Sequence, residues 1–243
     1  MKSRRQFKMC LAIGMLVCAG PIVACGDDPD VLPAARGFDS SRVVSVESLS
    51  CNNRTVRGTA LRLDDGVYLT AAHNVDESRS IHVDGQPISF LSTDDRVDLG
   101  LLIVDHSIDL DGIDTSDWAT SDPARSAAIV THESVRETTI DPDVLVRATR
   151  PSGSQRQWLG TPILSTVVFG ESGSALVQDG SPIGMIVQAV KNEERAFAVS
   201  AEEVREFVAK VTSVPGDSDS QYPGRLTSDR GPGPVHLVGS TCP

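Results

Sequence analysis

Three short segments of the chain carry residue types that can do acyl chemistry together. Tyr68-Leu69-Thr70-Ala71-Ala72-His73 is an apolar run that ends at a histidine. Asp98-Leu99-Gly100-Leu101-Leu102 puts an acid at the head of a second apolar run. Gly170-Glu171-Ser172-Gly173-Ser174-Ala175-Leu176 sets a serine between glycines just before a third. Singly each is ordinary. A strand-end histidine is usually a satisfied core or surface residue, an Asp before a strand is often a turn residue, and Gly-x-Ser-Gly occurs in many loops. In the order His, Asp, Ser they complement one another. A serine hydroxyl is a poor nucleophile at neutral pH and needs an adjacent base. His73 can accept its proton and pass it to a leaving amine. Asp98 can hold the imidazole tautomer and favour the transient imidazolium. Asp94, Asp95 and Asp105 compete for the acid's place, but only Asp98 heads the apolar Leu-Gly-Leu-Leu run expected of a strand.

The segments around these residues read as short strands rich in Val, Ile and Thr, punctuated by turns. A first group spans 43–49, 55–63, 66–72, 80–83, 87–91 and 98–104, with Asp64-Asp65-Gly66 as a hairpin turn. A second group spans 126–132, 143–149, 158–164, 174–178, 182–190 and 195–200, with Gln178-Asp179-Gly180-Ser181 as another. Six strands and six strands, separated by the polar stretch 105–125, predict an all-β fold of two six-stranded antiparallel barrels, about 42–110 and 125–200. One helix is expected over 201–212. Ser200 and Glu203 have capping-box spacing, and Val204, Phe207, Val208 and Val211 recur on one face before Pro215-Gly216. The tail, 213–243, is rich in Ser, Asp, Gly and Pro and should be irregular.

Over roughly residues 41 to 212 the chain resembles the trypsin-like (chymotrypsin-fold) serine peptidases. Thr70-Ala71-Ala72-His73 is similar to that family's histidine motif, DLGLL to its Asp motif, and GESGSAL to its Gly-Asp-Ser-Gly motif. Pro182-Ile183-Gly184-Met185-Ile186-Val187 resembles the strand lining the substrate cleft. The resemblance implies His73, Asp98 and Ser172 as catalytic residues, with the N–H groups of Gly170 and Ser172 as the oxyanion hole. It also implies Thr166, Val187 and Ala189 as the substrate pocket, Thr166 at its floor. No acid stands at Thr166 and no His lies between Val177 and Lys210, so small or medium apolar side chains are the expected preference. The chain departs from the family in four ways. Asn74 stands where a half-cystine often follows the histidine, so Cys51 lacks that partner. Glu171 replaces an Asp, and no Ile-Val-Gly-Gly sequence lies near Val43, so the chain is expected to fold directly active. Ala175 replaces a frequent Pro. The intervals of 25 residues between His73 and Asp98 and 74 between Asp98 and Ser172 resemble those of compact bacterial members.

Composition bounds the rest. The chain has 243 residues, 40% hydrophobic and 23% charged, an ordinary globular balance; aromatics are only 4%, so the core must be aliphatic. Acids outnumber bases 33 to 22, and a net charge of −11 excludes nucleic acid as the main partner. Lys2, Arg4, Arg5 and Lys8 followed by a short apolar run to Ala24 read as a signal peptide (1–24), not a spanning helix. Ile22-Val23-Ala24-Cys25 resembles the lipobox of bacterial lipoproteins, which implies acylation of Cys25 and a membrane anchor; a plain secreted protein is the alternative. Removal of the four bases takes the charge to −15, and residues 25–41 read as a solvated tether. With Cys25 acylated, Cys51 and Cys242 remain, and one disulfide between them is the simplest assignment in an oxidising compartment. No Cys-x-x-Cys spacing suggests zinc.

The expectation is therefore an exported serine endopeptidase, a monomer acting on protein or peptide substrates without metal or cofactor. A catalytically inactive binding module on the same fold is the second reading. An α/β-hydrolase is excluded, because Ser174 occupies the last position of Gly-x-Ser-x-Gly and the one later histidine, His236, lies in the polar tail.

Overall fold

The short aliphatic runs become two antiparallel sheets in the computed structural model, which describes residues 32–105, 108, 110, 112–149, 155–190, 193–212 and 235–237. The signal segment, Cys25, the acidic stretch after it, and the tail apart from 235–237 lie outside the described residues.

The first sheet contains β1 (Val43–Ser50), β2 (Thr55–Asp64), β3 (Val67–Ala71), β4 (Ser78–Val83), β5 (Gln86–Pro87), β6 (Phe90–Asp94) and β7 (Leu99–Ile103). The second contains β8 (Ala127–Val130), β9 (Val135–Thr138), β10 (Val144–Thr149), β11 (Gln155–Ile163), β12 (Ala175–Gln178), β13 (Ser181–Ala189) and β14 (Ala196–Ser200). Helix α1 (Ala201–Thr212) follows, and β15 (Val235–Leu237) returns to pair with β6. The sheet orders are β15-β6-β7-β3-β2-β1-β4-β5 and β10-β11-β14-β13-β12-β8-β9.

Each sheet closes on itself through one bent segment. β5 pairs with β4, while β6, three residues on, pairs with β7, so the stretch 86–94 joins the two ends of the first sheet. In the second, β9 pairs with β8 and β10 with β11, and an Ile140–Ile163 bridge marks the bend between them. Counting each bent segment as one strand gives two six-stranded barrels, the arrangement expected from the sequence. Closure leaves few open edges to be capped. The strand β9, Val-Arg-Glu-Thr, was not expected, because its mixed polarity carries no period-2 signal.

Both turns anticipated as hairpins form. Asp179 and Gly180 have φ of 49° and 80°, the paired positive values of a two-residue I′ turn.

Period-2 alternation sorts the side chains into three apolar layers. Val46, Tyr68, Ile81 and Leu102 fill the first barrel, and Ile129, Ile163, Leu176 and Ile183 fill the second. The opposite faces of the same strands, including Leu69, Leu99, Leu101, Val177 and Met185, meet between the barrels and receive Val204, Phe207, Val208 and Val211 of α1. Burying each of those helix side chains stabilises the closed form by about 1.5–3 kcal/mol. All five residues of β3 and of β7 are buried, so the runs leading to and from the candidate site are fixed on both faces.

Three expectations need correction. The proposed tether extends too far: Pro33–Ala35 forms a 3-10 turn with Ala34 and Ala35 buried, and Ala34 O accepts from Gly180 N at 3.1 Å, so this end is docked on the second barrel. The tail is not wholly irregular, since β15 extends the first sheet. The capping box is only half made. Glu203 N lies 3.5 Å from Ser200 Oγ, but the Glu203 carboxylate accepts from Leu159 N at 3.0 Å and pairs with Arg96 at 3.2 Å, tying the helix to β11 instead.

Candidate active site

His73 and Asp98 are brought together by strand register. β3 and β7 are adjacent and antiparallel, with Ala71 opposite Leu99, so the residues just beyond that pair face each other. Ala72 N then donates to Asp98 O at 2.9 Å, continuing the ladder. His73 lies in the 3-10 turn Ala72–Asn74. Asp98 has φ of 63°, a left-handed conformation that Asp tolerates because its short side chain bonds locally. Both carboxylate oxygens face the histidine: Oδ1 accepts from His73 N at 3.1 Å and Oδ2 lies 2.8 Å from Nδ1. An ionised carboxylate only accepts, so Nδ1 carries the proton and Nε2 of the neutral ring is the basic nitrogen. The Asp98 side chain is 2% exposed and that of His73 38%, a buried acid behind an accessible base. Of the competing acids, Asp94 turns elsewhere, accepting from Arg96 N at 2.8 Å with Lys210 3.8 Å away.

Ser172 sits in a turn between β11 and β12. Glu171 N donates to Val168 O at 3.2 Å, closing a turn with Gly170 at its third position and φ of 96°, the type II requirement for glycine. Gly173, at φ 90°, lies so close to β2 that a Cβ there would run into Thr59 O. The turn is fastened to both barrels. Ser172 O accepts from Thr59 N at 2.9 Å and from Asn74 Nδ2 at 2.8 Å, Gly170 O accepts from Thr59 Oγ1 at 3.0 Å, and Gly173 N donates to Ile186 O at 2.7 Å. Asn74 is the neighbour of His73, so this anchoring seats the Ser172 turn beside the imidazole. Among the described residues no hydrogen bond joins Ser172 Oγ to His73, and neither Gly170 N nor Ser172 N has a partner. Unliganded sites commonly tighten such contacts only when substrate arrives.

Two contacts beside Asp98 and Ser172 carried no sequence signal. Arg156, on β11 of the second barrel, pairs through Nη1 with Asp98 Oδ2; its side chain is 11% exposed, and among the described residues its Nε has no hydrogen-bond partner. Arg136, on the unanticipated β9, bonds Glu171 Oε2 at 2.8 Å, and the same oxygen accepts from Val168 N at 2.9 Å. An internal cation thus pairs with the acid beside Ser172.

The expected pocket residues are dispersed in environment. Thr166 and Ala189 are exposed, whereas Val187 is 3% exposed and packed in the layer between the barrels. A cavity of about 520 Å³ lies against residues 168–171 of the turn and is lined by none of the three. His132, Glu133, Glu47, Arg57 and Phe169 line it with Gly170. Cys51 is in a disulfide whose partner is outside the described residues.

No protein-family model matches the chain, and no curated protein does. Solved structures do. The active form of the Rv3671c protease from M. tuberculosis aligns with a TM-score of 0.56 and 21% identity over 75% of this chain and 83% of its own. A serine endoprotease from Yersinia pestis aligns at 0.53 and 20%, over 74% of this chain and 65% of its own. The HtrA-type protease AlgW with tripeptide gives 0.54 and 18%, over 74% and 63%. This chain thus spans slightly less than two thirds of the last two. The shared fold is the two-barrel fold of trypsin-like serine proteases.

Proposed function

We propose that the chain is a serine endopeptidase. The observation that carries the reading is the His73–Asp98 pair, 2.8 Å between Nδ1 and Oδ2, on a buried ladder beside an anchored serine turn. In this reading Nε2 of His73 takes the Ser172 proton as Oγ attacks the scissile carbonyl. The oxyanion is met by Gly170 N–H and Ser172 N–H, both without other partners among the described residues, and each such donor is typically worth about 10²–10³ in rate. His73 then protonates the leaving amine, and water hydrolyses the acyl-Ser172 ester by the reverse proton path. The Glu171–Arg136 pair supports a site that needs no newly cut N-terminus to order it.

The inactive-module reading has one observation in its favour, the Arg156 cation on Asp98, which offsets the charge that would stabilise the imidazolium. A fluorophosphonate separates the two: stoichiometric labelling at Ser172, lost in Ser172→Ala, is expected for the enzyme, and an unlabelled folded wild type would refute it.

Export as a lipoprotein acylated at Cys25 belongs to the same proposal, as does a Cys51–Cys242 disulfide. Strand β15, five residues before Cys242, lies on the first sheet, the sheet that holds Cys51 at the end of β1, and this supports the pairing. Cys25→Ser should release the protein from membranes, and non-reducing peptide mapping should link the Cys51 and C-terminal peptides.

A further inference from the structure

The C=O of Ser172 and the N–H of Gly173 belong to one peptide unit, and its two ends are tied to different barrels. On the second-barrel side, Gly173 N–H donates to Ile186 O at 2.7 Å. On the first-barrel side, the carbonyl has two donors, Thr59 N–H at 2.9 Å and Asn74 Nδ2 at 2.8 Å. One of these is a backbone bond that almost any residue could make. The other needs a side-chain amide.

The orientation of that amide follows from its partners. Asn74 Nδ2 also lies 3.1 Å from Thr70 Oγ1, and the Thr70 hydroxyl spends its only hydrogen on Thr59 O at 2.7 Å. Thr70 Oγ1 must therefore accept, as must the Ser172 carbonyl, so the nitrogen and its two hydrogens face both. Asn74 is 3% exposed, and its own carbonyl accepts from the buried Ser48 Oγ at 2.6 Å. The space is reserved for it. A Cβ on Gly58 would run into the Asn74 carboxamide, so β2 leaves room by having none.

We propose that Asn74 is a positioning residue for the nucleophile. Its carboxamide fixes the plane of the Ser172–Gly173 peptide, and with it the direction of the Ser172 Cα–Cβ bond relative to the imidazole one residue away. The catalytic consequence rests on the peptidase reading; the clamp itself does not. A buried Asn acting only as a space-filler would cost stability when changed but would leave the geometry of Ser172 alone.

The test uses Asn74→Asp, which keeps the shape and replaces the donor by an acceptor, and Asn74→Ser, which avoids a buried charge should the first not fold. Val83→Ala, in the interior of the first barrel, supplies a destabilised comparator in an apolar layer that includes no residue of the 168–176 segment. Amide hydrogen exchange of the 168–176 segment should quicken about tenfold or more in the Asn74 variants and not in the comparator. The kcat should fall about 10–10²-fold, as for a misplaced reacting group, with KM little changed. Unchanged exchange in a folded Asn74 variant overturns the clamp, whether or not the wild type is a peptidase. Altered exchange with kcat unchanged overturns its catalytic role. A wild type that neither hydrolyses peptides nor labels at Ser172 overturns the peptidase reading alone, since the exchange result still stands.

Discussion

In the first barrel His73 and Asp98 are held by a ladder. β3 and β7 are buried along their whole length, and the bond from Ala72 N to Asp98 O simply extends their pairing. In the second barrel Ser172 is held by a turn whose conformation comes from two glycines with positive φ and from donors on the opposite barrel. Its flank is apolar and exposed, with Val168 57% and Phe169 84% exposed. One half of the site is therefore a by-product of strand register, while the other half depends on contact between barrels. The His73–Asp98 half should survive most local changes; the Ser172 half should respond to small ones.

The largest effect expected is on chemistry alone. Ser172→Ala should remove turnover by a factor on the order of 10⁶, because a nucleophile acts as a unit with its base. Its melting temperature should match the wild type, since the inter-barrel bonds of this residue use its carbonyl and not its hydroxyl. Residual turnover at even a hundredth of the wild-type rate would show that another group carries the reaction.

Asp98→Asn comes next, and it probes the rigid half. Asn accepts a left-handed φ, so the backbone should not move. Turnover should fall by about 10⁴ through the wrong tautomer of His73. Stability should fall too, because Arg156 loses the carboxylate it faces in a nearly buried site; breaking such a pair costs about 3–5 kcal/mol. The double variant Asp98→Asn/Arg156→Met should recover stability in urea unfolding without recovering turnover. If the double variant is no more stable than the single one, the Arg156 pairing is not what Asp98 contributes to the fold.

A pair of glycine variants addresses the adjustable half. At Gly170 nothing lies within reach of a new Cβ, so Gly170→Ala meets only the cost of φ 96°, about 1–2 kcal/mol. The turn can escape that strain by reversing the 169–170 peptide, which would remove one oxyanion donor. The expected outcome is a 10²–10³-fold loss of kcat, about the value of one donor, in a protein that stays folded. At Gly173 the Cβ would strike Thr59 O, so Gly173→Ala should push the turn off β2 and cost about 2–5 kcal/mol, strain and overpacking together. Equal thermal stability in the two variants would mean that the turn is not seated on the first barrel.

The same division decides what the sequence could reveal. His73, Asp98 and Ser172 are legible because each sits beside a patterned strand, and the two barrels are legible because twelve runs alternate or stay apolar. The bends that close the barrels are not. Residues 87–91 read as one strand although the stretch 86–94 pairs with two different neighbours, and β9 is too polar to register at all. Arg156, Arg136 and Asn74 act across gaps of 58, 35 and 98 residues, on Asp98, Glu171 and Ser172 respectively. No local pattern encodes such contacts. The docking of Pro33–Ala35 was hidden for a related reason, since two alanines and a proline look like a linker until a surface is found for them.

The smallest effects concern how the chain enters each barrel, where the two halves are treated alike. Asp39 accepts from Ser41 Oγ at 2.7 Å and Ser41 N at 3.0 Å, just before β1. Asp114, in the connection leading to the second barrel, accepts from Ser116 N at 2.7 Å. The Ser41 hydroxyl and then its N–H hold the Asp39 carboxyl below the usual carboxylate range, and the Ser116 N–H, then its hydroxyl, does the same for Asp114. A carboxyl whose folded value is depressed adds stability that is complete above its unfolded value, about 4, and is lost as pH falls through the folded one. Asp39→Ala and Asp114→Ala should therefore lower the melting temperature slightly at pH 7, and the gap to wild type should close as the solution is acidified below about pH 4. Asp39→Asn should keep an acceptor but lose the pH dependence. Neither position touches the site, so kcat and KM should not move. A melting-temperature gap that persists unchanged into acid would show that these turns act through chain geometry and not through the charge of the carboxylate.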